Sequence, residues 1–517
     1  MRQSSWVFVV GACVLLAPRV SHAFCGFYVA GSDAQLVSDA TQVVLMRYGT
    51  TTIQSMQNNY DGPPEDFAMV VPVPQVLQKQ NVKTLPKGAF DTIDTLTSPR
   101  LVEYWEQNPC PQYHERDYED EAMPMQTSES GGLKMRSKSA PPPKVKVEAK
   151  FSVAEYDIVI LSATESTALD RWLRQNGYKI PDGADAYLAP YVSSGMYFFV
   201  AKVDVDKVER AAGGRAVLSP IRFHYENDAF FLPVRLGMIN SAGKQDLVVY
   251  ILAQQFRFEV ANRPNAFIPT NLEVKNEVRG QFPTFFDGIF AATIEKHPGA
   301  VMTEYSWGSS KCDPCPGPTL SQEDILTFGG NVISEEMGAF NWVVTRLHAR
   351  YGADDIGEDL VFEKAAPIAG GREVRDHTGA LEQGVIDDSF NNFQARYIIR
   401  HEWAGPVECA NPQFGIWGGP PNGGSVGVMG APSANTRGEA PSTNVEIDYA
   451  KLVKDAVPDA SVVPARDVAL PRPTGRQPRG PGGSMCAGCS SVDAAANGLL
   501  ALMGLVMAAV LRRRRAG

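Results

Sequence analysis

The chain has 517 residues, which is enough for one large domain or two to three ordinary ones. Its 58 acidic residues outnumber its 48 basic residues and give a net charge of −10. Because binding to a nucleic acid backbone draws on clustered positive charge, this balance argues against a nucleic acid partner.

The N-terminus has the three parts of a secretory signal peptide. Arg2 is followed by an apolar stretch over residues 6–17, and the small residues Ser21 and Ala23 stand at the spacing that signal peptidase requires. We therefore expect cleavage between Ala23 and Phe24 and export of the mature chain.

The segment over residues 42–74 predicts three β-strands. The first two, QVVLMRY and TTTIQSM, form a hairpin around Gly49, and the third, DFAMVVPVP, follows the turn NNYDGPP. Pro72 and Pro74 lack an amide hydrogen, so we expect the end of the third strand to lie at a sheet edge or to leave the sheet.

A short helix and then an insert without regular structure are predicted next. In SPRLVEYWEQNPC, Ser98 is a typical N-cap, Pro99 suits the first helical position, and the helix is expected to end near Asn108. Residues 111–147 combine an acidic cluster, small polar residues and a proline-rich exit. This composition predicts a disordered insert.

Beyond the insert, the sequence predicts many strands and few helices. EYDIVILSA is typical of a buried strand, and STALDRWLRQNGY of a helix capped by Ser166 and ended by Gly177. LSPIRFHYENDAFFLPVRL predicts a hairpin that turns at Asn227 and Asp228, and QDLVVYILAQQFRFEVAN a single long strand. A helix start at Ser321 precedes further strands up to NNFQARYIIRHEW. The predicted class is α+β and β-rich, mainly antiparallel sheet with a few short helices.

The composition of the chain then changes twice, and the changes divide it into a body, a spacer and a tail. The body is predicted over residues 24–417, and residues 418–485, rich in glycine and proline, predict a flexible spacer. The tail over residues 486–517 holds two cysteines, an apolar helix at 494–511 and an arginine cluster at 512–515.

The cysteines of an exported chain are expected to form disulfides. Cys312 and Cys315 are followed at once by two prolines, which continue a helical turn poorly, so a structural disulfide is favoured over a redox-active pair. A metal site shared with Cys486 and Cys489 is a third alternative. The body holds an odd number of disulfide candidates: Cys25, Cys110, Cys312, Cys315 and Cys409.

No catalytic residue, metal site or cofactor fingerprint is predicted. His348 and His401 lie in strand-like segments, where a structural histidine is favoured over a ligand or a base. Gly423, Ser425 and Gly427 match the nucleophile-elbow pattern, but they lie in the predicted spacer, where the strand and helix that this chemistry needs are not expected.

Five aromatic residues leave two interpretations open. They either line a groove for a carbohydrate or a peptide or belong to the core, as aromatic residues in β-rich proteins more often do. These residues are Tyr305, Trp307, Trp342, Trp403 and Trp417.

Several of these segments, in this order, resemble the secreted bacterial family catalogued as domain of unknown function 2330. The segments include DFAMVVPVP, AEYDIVILSA, YVSSGMYFFVAKVD, LSPIRFHYENDAFFLPVRLG, KCDPCPGP, TRLHARYGADDIGEDLVF and NNFQARYIIRHEWAGPVEC. The resemblance covers most of residues 24–417, and it implies no activity, catalytic residue or ligand.

The tail is similar to the MYXO-CTERM class of C-terminal sorting signals, which combine a cysteine motif, an apolar helix and terminal arginines. The resemblance implies cleavage near a cysteine by a membrane protease, lipid attachment to that cysteine and display at the outer surface. Its usual Gly-Cys context fits Cys489 better than Cys486. An apolar helix over residues 494–511 would be about 27 Å long, just under the hydrocarbon thickness of a bilayer.

We therefore expect an exported envelope protein, anchored through its C-terminus, with a binding or structural role rather than an enzymatic one. Its expected partners are the membrane, signal peptidase and a C-terminal sorting protease. The alternative is a secreted hydrolase or thiol-redox protein with a site assembled from distant residues. For that alternative, Cys312 and Cys315 with His348 or His401 are the first residues to test.

Overall fold

The computed structural model describes residues 27–28, 41–57, 68–110 and 144–468, the last range with short gaps at 179, 181, 211–215, 241–243, 335–340, 353–356, 376–379, 422, 432–447 and 455. The predicted signal cleavage site at Ala23 and Phe24, Cys25, most of the predicted insert, and the predicted tail with Cys486 and Cys489 lie outside these ranges. No helix within the described ranges is both long enough and apolar enough to cross a membrane.

Strands are the main element of the chain and helices are few. The strands are β1 (Phe27–Tyr28), β2 (Thr41–Tyr48), β3 (Thr51–Met56), β4 (Ala68–Val73), β5 (Val82–Thr84), β6 (Arg100–Glu106), β7 (Val145–Val153), β8 (Tyr156–Ala163), β9 (Tyr197–Val203), β10 (Glu209–Arg210), β11 (Ala216–Val217), β12 (Ile221–Glu226), β13 (Phe231–Leu232), β14 (Gln245–Gln254), β15 (Arg257–Val260), β16 (Asn265–Phe267), β17 (Leu272–Glu273), β18 (Val301–Gly308), β19 (Trp342–Tyr351), β20 (Leu360–Ala365), β21 (Ile368–Gly370), β22 (Ile386–Asp387), β23 (Asn392–Gln394), β24 (Arg396–His401), β25 (Trp417–Gly418), β26 (Gly427–Gly430) and β27 (Val462–Val463). The helices are α1 (Ala89–Thr97), α2 (Ser166–Gln175), α3 (Ala184–Ser193), α4 (Phe282–Lys296), α5 (Gln322–Ile325) and α6 (Asn331–Ile333).

The largest sheet has twelve strands among the described residues and is buried on both faces where β2, β14 and β19 lie. Its main order is β22-β21-β23-β18-β19-β14-β2-β3-β12-β5, with β16 and β27 attached beside β18. Side chains of a strand alternate between the two faces. Val43 and Leu45 pack toward the sheet of β8 and β9, whereas Val44 and Met46 pack toward α1. This double burial explains why β2 and β14 are rich in consecutive apolar residues, whereas β19 also buries the polar side chains Thr345, Arg346 and His348.

Four further sheets lie in the described part of the chain, of which two are small: β10 pairs with β11, and β20 pairs with β13 and β15. The order β1-β4-β9-β8-β7 is antiparallel throughout, and α2 and α3 pack on one of its faces. The sheet of β17, β24, β6, β25 and β26 contains parallel pairs, and α4 covers one face of it. The predicted class, α+β with mainly antiparallel sheet and few short helices, is confirmed.

Most local predictions that rest on turn and cap chemistry agree with the structure. The hairpin of β2 and β3 turns at Gly49, which has a φ of 56°. Helix α2 is followed by Gly177 with a φ of 73°, as predicted, but Ser166 is its first helical residue and Glu165 its N-cap, so the predicted Ser166 cap is wrong by one position. The Ser321 side chain accepts a hydrogen bond from the Asp324 amide and starts α5.

The helix predicted from Ser98 to Asn108 is wrong, because this segment is strand β6. A helix does lie next to it, but α1 ends at Thr97, where the predicted one was to begin. Strand β6 pairs with β24 on one side and with β25 and β26 on the other. Its apolar residues meet these distant strands, so tertiary pairing decides the conformation over the local cap pattern.

The hairpin predicted to turn at Asn227 and Asp228 is also wrong. Strand β12 pairs with β3 and β5 in the central sheet, whereas β13 pairs with β20. The single long strand predicted from QDLVVYILAQQFRFEVAN is two strands, β14 and β15, separated by Gln255 and Phe256.

The predicted spacer over residues 418–485 is wrong for the parts that the structure describes. Strand β26 pairs with β6, so the body extends past residue 417. Residues 448–468, here named the C-terminal strap, cross α4 and add β27 to β16. The strap reaches Arg466, whose amide donates a hydrogen bond to the Ala261 carbonyl.

Candidate ligand-binding groove

Five neighbouring strands of the central sheet end in one row. They are β23, β18, β19, β14 and β2, in this order across the sheet. Strands β23 and β19 begin at this row, whereas β18, β14 and β2 end at it, because β14 and β2 are parallel and the other neighbouring pairs are antiparallel. The register pairs that form the row are Asn392 with Trp307, Gly308 with Val343, Trp342 with Gln254, and Ala253 with Arg47.

Two adjoining clefts open along this row of strand ends, and Gln255 lines both. Their volumes are about 700 Å³ and about 510 Å³, within the range of small-molecule binding sites. We name the two clefts together the strand-end groove. The larger cleft is lined by Gln255, Trp307, Gly308, Ser310, Lys311, Asn341, Trp342, Val343, Pro367, Ser389, Phe390, Asn391 and Asn392; the smaller by Arg47, Tyr48, Gly49, Asp228, Ala229, Phe230, Ala253, Gln254, Gln255, Phe256, Phe258, Val361, Phe362, Glu363 and Lys364.

The backbone of the groove is left-handed at two residues that are not glycine. Gln255 has a φ of 65° and Asn341 a φ of 72°, and the Gln255 amide donates a hydrogen bond of 3.0 Å to the Asn341 carbonyl. Only two other non-glycine residues in the described ranges share this conformation, Ala154 and Asn271. A left-handed conformation costs about 1–3 kcal/mol for most residues, and such strain concentrates at functional sites.

Strain at Gln255 has a visible structural effect, because it ends strand β14. The chain leaves the central sheet there and continues as β15, which pairs with β20. Gln255 and Phe256 are exposed at this break, and Phe256 keeps 43% of its surface accessible. The sequence contains a sign of the break that pattern analysis missed: two adjacent amides, Gln254 and Gln255, interrupt an otherwise apolar β run.

Exposed aromatic side chains stand along the groove. Phe390 is 76% exposed and Tyr48 is 46% exposed, at opposite ends of the row. Trp307 is half-buried between them and packs against Tyr305 at a ring-centroid distance of 6.4 Å. Of the aromatic residues singled out in the sequence, Trp307 and Trp342 line the groove, and Trp342 is almost fully buried.

The other three aromatic candidates do not line the groove. Tyr305 is buried behind Trp307, and its hydroxyl donates to the Lys311 carbonyl. Trp417 packs on the Arg400 guanidinium at 4.7 Å, and the Trp403 indole donates to the Pro406 carbonyl. The predicted set of five is therefore split between groove, core and a separate surface.

Three of the four charged side chains of the smaller cleft are engaged within the protein, and the fourth, Asp228, is exposed. The Arg47 guanidinium donates to Thr52 Oγ1 and to the Thr50 and Asp228 carbonyls. The Lys364 ammonium lies 4.1 Å from the centroid of the Phe256 ring, and Glu363 accepts a hydrogen bond of 2.9 Å from Arg466. The cleft therefore presents neutral polar and aromatic groups more than unpaired charge.

The four cysteines within the described ranges form two disulfides. Cys312 is bonded to Cys315, and Cys110 is bonded to Cys409 across 299 positions of the sequence. No contact joins either cysteine of the first pair to His348 or His401 in the described part of the chain. The residues proposed for a thiol-redox or hydrolase site are thus not brought together.

His348 belongs to a fully buried chain of charges. Its Nδ1 lies 2.6 Å from Glu304 Oε1, its Nε2 lies 3.5 Å from Asp246, and its ring stacks on Phe290 at 4.0 Å. Burial acts to lower the pKa of His348, but attraction to Glu304 and Asp246 outweighs it and raises that pKa above its ordinary value. A histidine without access to solvent or to the groove holds the fold together rather than meeting a substrate.

The raised pKa of His348 predicts a specific pH dependence. The imidazolium is stabilised only in the folded chain, so its contribution is complete below about pH 6.5, the pKa of an unfolded-chain histidine. The contribution is lost as the pH rises through the higher folded pKa. We expect the free energy of unfolding, measured by urea titration, to fall as the pH rises from 6 to 9. In the His348→Gln variant, the free energy of unfolding should depend less on pH over the same range.

His224→Gln is the matched control for this titration. Burial lowers the pKa of His224, so this histidine is neutral in both states above pH 7 and its loss should leave the slope unchanged. An equal slope in the parent and in His348→Gln would show that another group is responsible.

His401 is the last residue of β24, which pairs in parallel with β6, and it lies outside the groove. Its Nε2 lies 2.9 Å from Glu103 Oε2, and its ring stacks on Trp105 at 4.8 Å. Glu103 is also paired with Arg279 at 3.1 Å. Neither a hydroxyl nor a thiol contacts His401 among the residues described, so this dyad has no nucleophile beside it.

The remaining sequence motif does not form an active site. Gly423 and Ser425 lie between β25 and β26, Gly427 is the first residue of β26, and the strand-to-helix turn that a nucleophile elbow requires is not formed there. Within the described ranges, no group of three or more His, Cys, Asp or Glu side chains is arranged to hold a metal ion.

Comparison with known proteins gives one match. The family described as "Uncharacterized protein conserved in bacteria (DUF2330)" matches residues 19–363. No curated protein and no solved structure matches the chain significantly. The matched range includes the groove residues of β2, β14, β18 and β19, and it ends before Pro367 and the segment over residues 389–392. Since the match spans more than half of the 517 residues, the chain belongs to this uncharacterised bacterial family.

Proposed function

We propose that this protein is an exported envelope protein, anchored through its C-terminus, that binds a ligand in the strand-end groove and does not catalyse a reaction. The observation that carries the proposal is the left-handed pair Gln255 and Asn341 at the junction of the two clefts. Strain of this kind concentrates at functional sites, and here it lies chiefly at Gln255, because asparagine adopts the left-handed conformation more readily. The conformation of Gln255 ends β14, but both side chains are exposed and neither is packed in the core.

The chemistry of the groove supports binding over catalysis. The side chains of Gln255 and Asn341 have no hydrogen-bond partner among the described residues, so their amides are available to a ligand. Histidines and the Cys312–Cys315 disulfide, which a hydrolase or a thiol-redox protein would use, do not line the groove. Exposed aromatic rings and a few oriented polar groups are typical of recognition sites.

Removing the two most prominent aromatic side chains of the larger cleft should abolish most ligand binding. We expect Trp307→Ala combined with Phe390→Ala to weaken retention of the full-length protein on envelope fragments of the producing bacterium at least tenfold. Buried or stacked aromatic contacts contribute more than about 1 kcal/mol each at binding hot spots. The fragments are prepared from a strain that lacks the gene, and retention is measured by co-sedimentation.

Phe414→Ala is the matched control, because Phe414 is an equally conspicuous aromatic residue, 58% exposed, and lies outside the groove. The Phe414→Ala variant and the Trp307 and Phe390 double variant both keep the predicted tail, so membrane association through the tail affects them alike. Equal retention of the double variant and the control would contradict a binding role for the groove.

The proposed export and anchoring are tested on the native protein. Peptide mass spectrometry should find Phe24 at the mature N-terminus, no peptide from residues 512–517, and a modification on Cys489 rather than Cys486. Signal peptidase, a C-terminal sorting protease and the membrane are the partners that this outcome requires. A mature chain that begins at Met1, or that keeps its last residues in most molecules, would contradict the proposed processing.

A further inference from the structure

We propose that the ligand of the strand-end groove is an uncharged carbohydrate chain. This inference rests on the proposed function, because it names the ligand class of the same groove. Three features carry it: the neutral lining, the hydrogen-bonding character of that lining, and the position of the groove across strand ends.

The electrostatics of the groove match a neutral ligand. Arg47, Lys364 and Glu363 are occupied by contacts inside the protein, and the exposed carboxylate of Asp228 is the remaining anion of the smaller cleft. Lys311 is the remaining cation of the larger cleft, and a single lysine gives no cluster of positive charge. A nucleic acid, a phosphorylated polymer or an acidic polysaccharide would require such a cluster.

The polar groups that do face the groove suit hydroxyl groups. An amide side chain both donates and accepts hydrogen bonds, as a sugar hydroxyl does, so amides satisfy hydroxyls in either role. The lining contains four asparagine or glutamine residues besides Gln255, together with two serines: Gln254, Asn341, Asn391, Asn392, Ser310 and Ser389. The side-chain oxygens of Asn391 and Asn392 already accept hydrogen bonds inside the protein, so these two residues offer their NH₂ groups as donors, and the Ser389 hydroxyl donates to Asp388. Aromatic rings such as Phe390 and Trp307 offer flat apolar faces, and the C–H faces of a pyranose ring pack on such faces.

The position of the groove disfavours an extended peptide. Peptides commonly bind by adding a strand to an exposed sheet edge, where unpaired backbone groups are available. Strands β18, β19 and β14 each have a paired neighbour on both sides, so they offer no open ladder. A ligand in the groove therefore crosses the strand ends and contacts side chains, which is how a sugar chain is recognised.

The groove is long enough for several sugar rings. Five adjacent strand ends spaced at about 4.8 Å span roughly 19 Å from β23 to β2. Affinity should therefore increase with the length of an oligosaccharide, and neutral contacts should make it insensitive to ionic strength.

The test uses the full-length protein and envelope fragments of the producing bacterium, treated in two ways. Periodate cleaves the vicinal diols of sugars, and proteinase K removes protein. We expect periodate treatment to reduce retention at least tenfold and proteinase K to leave it unchanged. Retention should change less than twofold between 0.1 M and 1 M NaCl.

Gln255→Gly identifies the groove as the site of this binding. Glycine accepts the left-handed conformation, so the variant should keep or raise its melting temperature while its retention falls at least fivefold. Ala154→Gly is the matched control, since Ala154 has a φ of 48° in the turn between β7 and β8, away from the groove, and its retention should equal that of the parent.

The outcomes separate the two proposals. Groove-dependent retention that is lost after proteinase K, survives periodate, or disappears in 1 M NaCl would overturn the carbohydrate inference and leave the binding function standing. Retention that neither Gln255→Gly nor the Trp307 and Phe390 double variant changes would overturn the binding function itself, and the carbohydrate inference with it.

Discussion

Replacing Arg346 with methionine should lower the free energy of unfolding by about 3–5 kcal/mol, because it removes the arginine that two buried carboxylates share and leaves Glu304 with His348 and Asp94 with the Tyr250 hydroxyl. The Arg346 Nη1 lies 2.6 Å from Asp94 and its Nε lies 2.7 Å from Glu304, and all three side chains are inaccessible to solvent. Burial acts to lower the pKa of Arg346, but Tyr250, Asp94 and Glu304 outweigh it and raise that pKa, so the charged form is required. Denaturant titration at pH 7 measures the loss.

Two further variants show that the loss comes from the buried charges. Arg466→Met removes an ion pair to Glu363 in which the arginine is largely exposed, and it should cost less than about 1 kcal/mol. Adding Asp94→Asn and Glu304→Gln to Arg346→Met should recover part of the stability, since the uncompensated charges are then gone. A loss below 1 kcal/mol for Arg346→Met, or no recovery in the triple variant, would contradict this account.

Removing the Cys110–Cys409 disulfide should be at least as damaging. The bond closes a loop with a sequence separation of 299, and the chain-entropy relation assigns it about 6 kcal/mol. It joins the chain just after β6 to the chain after β24, two strands that also pair with each other. Cys110→Ser with Cys409→Ser should therefore lower the midpoint of denaturant unfolding strongly, and reduction of the parent should reproduce most of the effect.

The second disulfide provides the comparison for this experiment. Cys312 and Cys315 are only three positions apart, so the same relation assigns their bond roughly 2 kcal/mol. Serine at both positions should therefore destabilise the protein less than the Cys110 and Cys409 double variant does. The reverse ranking would show that local contacts around Cys312 matter more than loop closure.

Predictions from sequence succeeded where the conformation depends on neighbouring residues. The turn at Gly49, the end of α2 at Gly177 and the cap at Ser321 each follow from a short motif with a local physical cause. The segment from Ser98 failed because its apolar spacing suits a helix or a strand, and only the partners β24 and β26, about 300 residues away, decide between them.

The groove could be predicted only in fragments. Trp307 was named among aromatic residues that either line a groove or fill the core, but the choice depended on where β18 ends in the sheet. Tyr48, Gln255 and Asn392 lie far apart in the sequence and meet only because of the strand order. Periodicity does not contain that order, and the strained backbone at Gln255 and Asn341 is visible only in three dimensions.

The C-terminal strap has a mechanical consequence for a protein held by its C-terminus. A pulling force along the tail would first load the strap, which joins β16 through a pairing of only two residues and ends at the exposed Arg466. The strap is held by this short pairing, the bridge between Val274 and Val453 and a set of surface ion pairs, whereas β14 and β19 of the central sheet pair over ten residues, so the strap should detach before the central sheet yields. Fully extended, residues 448–468 span at most about 70 Å, which limits how far their detachment lengthens the tether while the groove keeps its shape. The body could thus follow a moving ligand under load without unfolding.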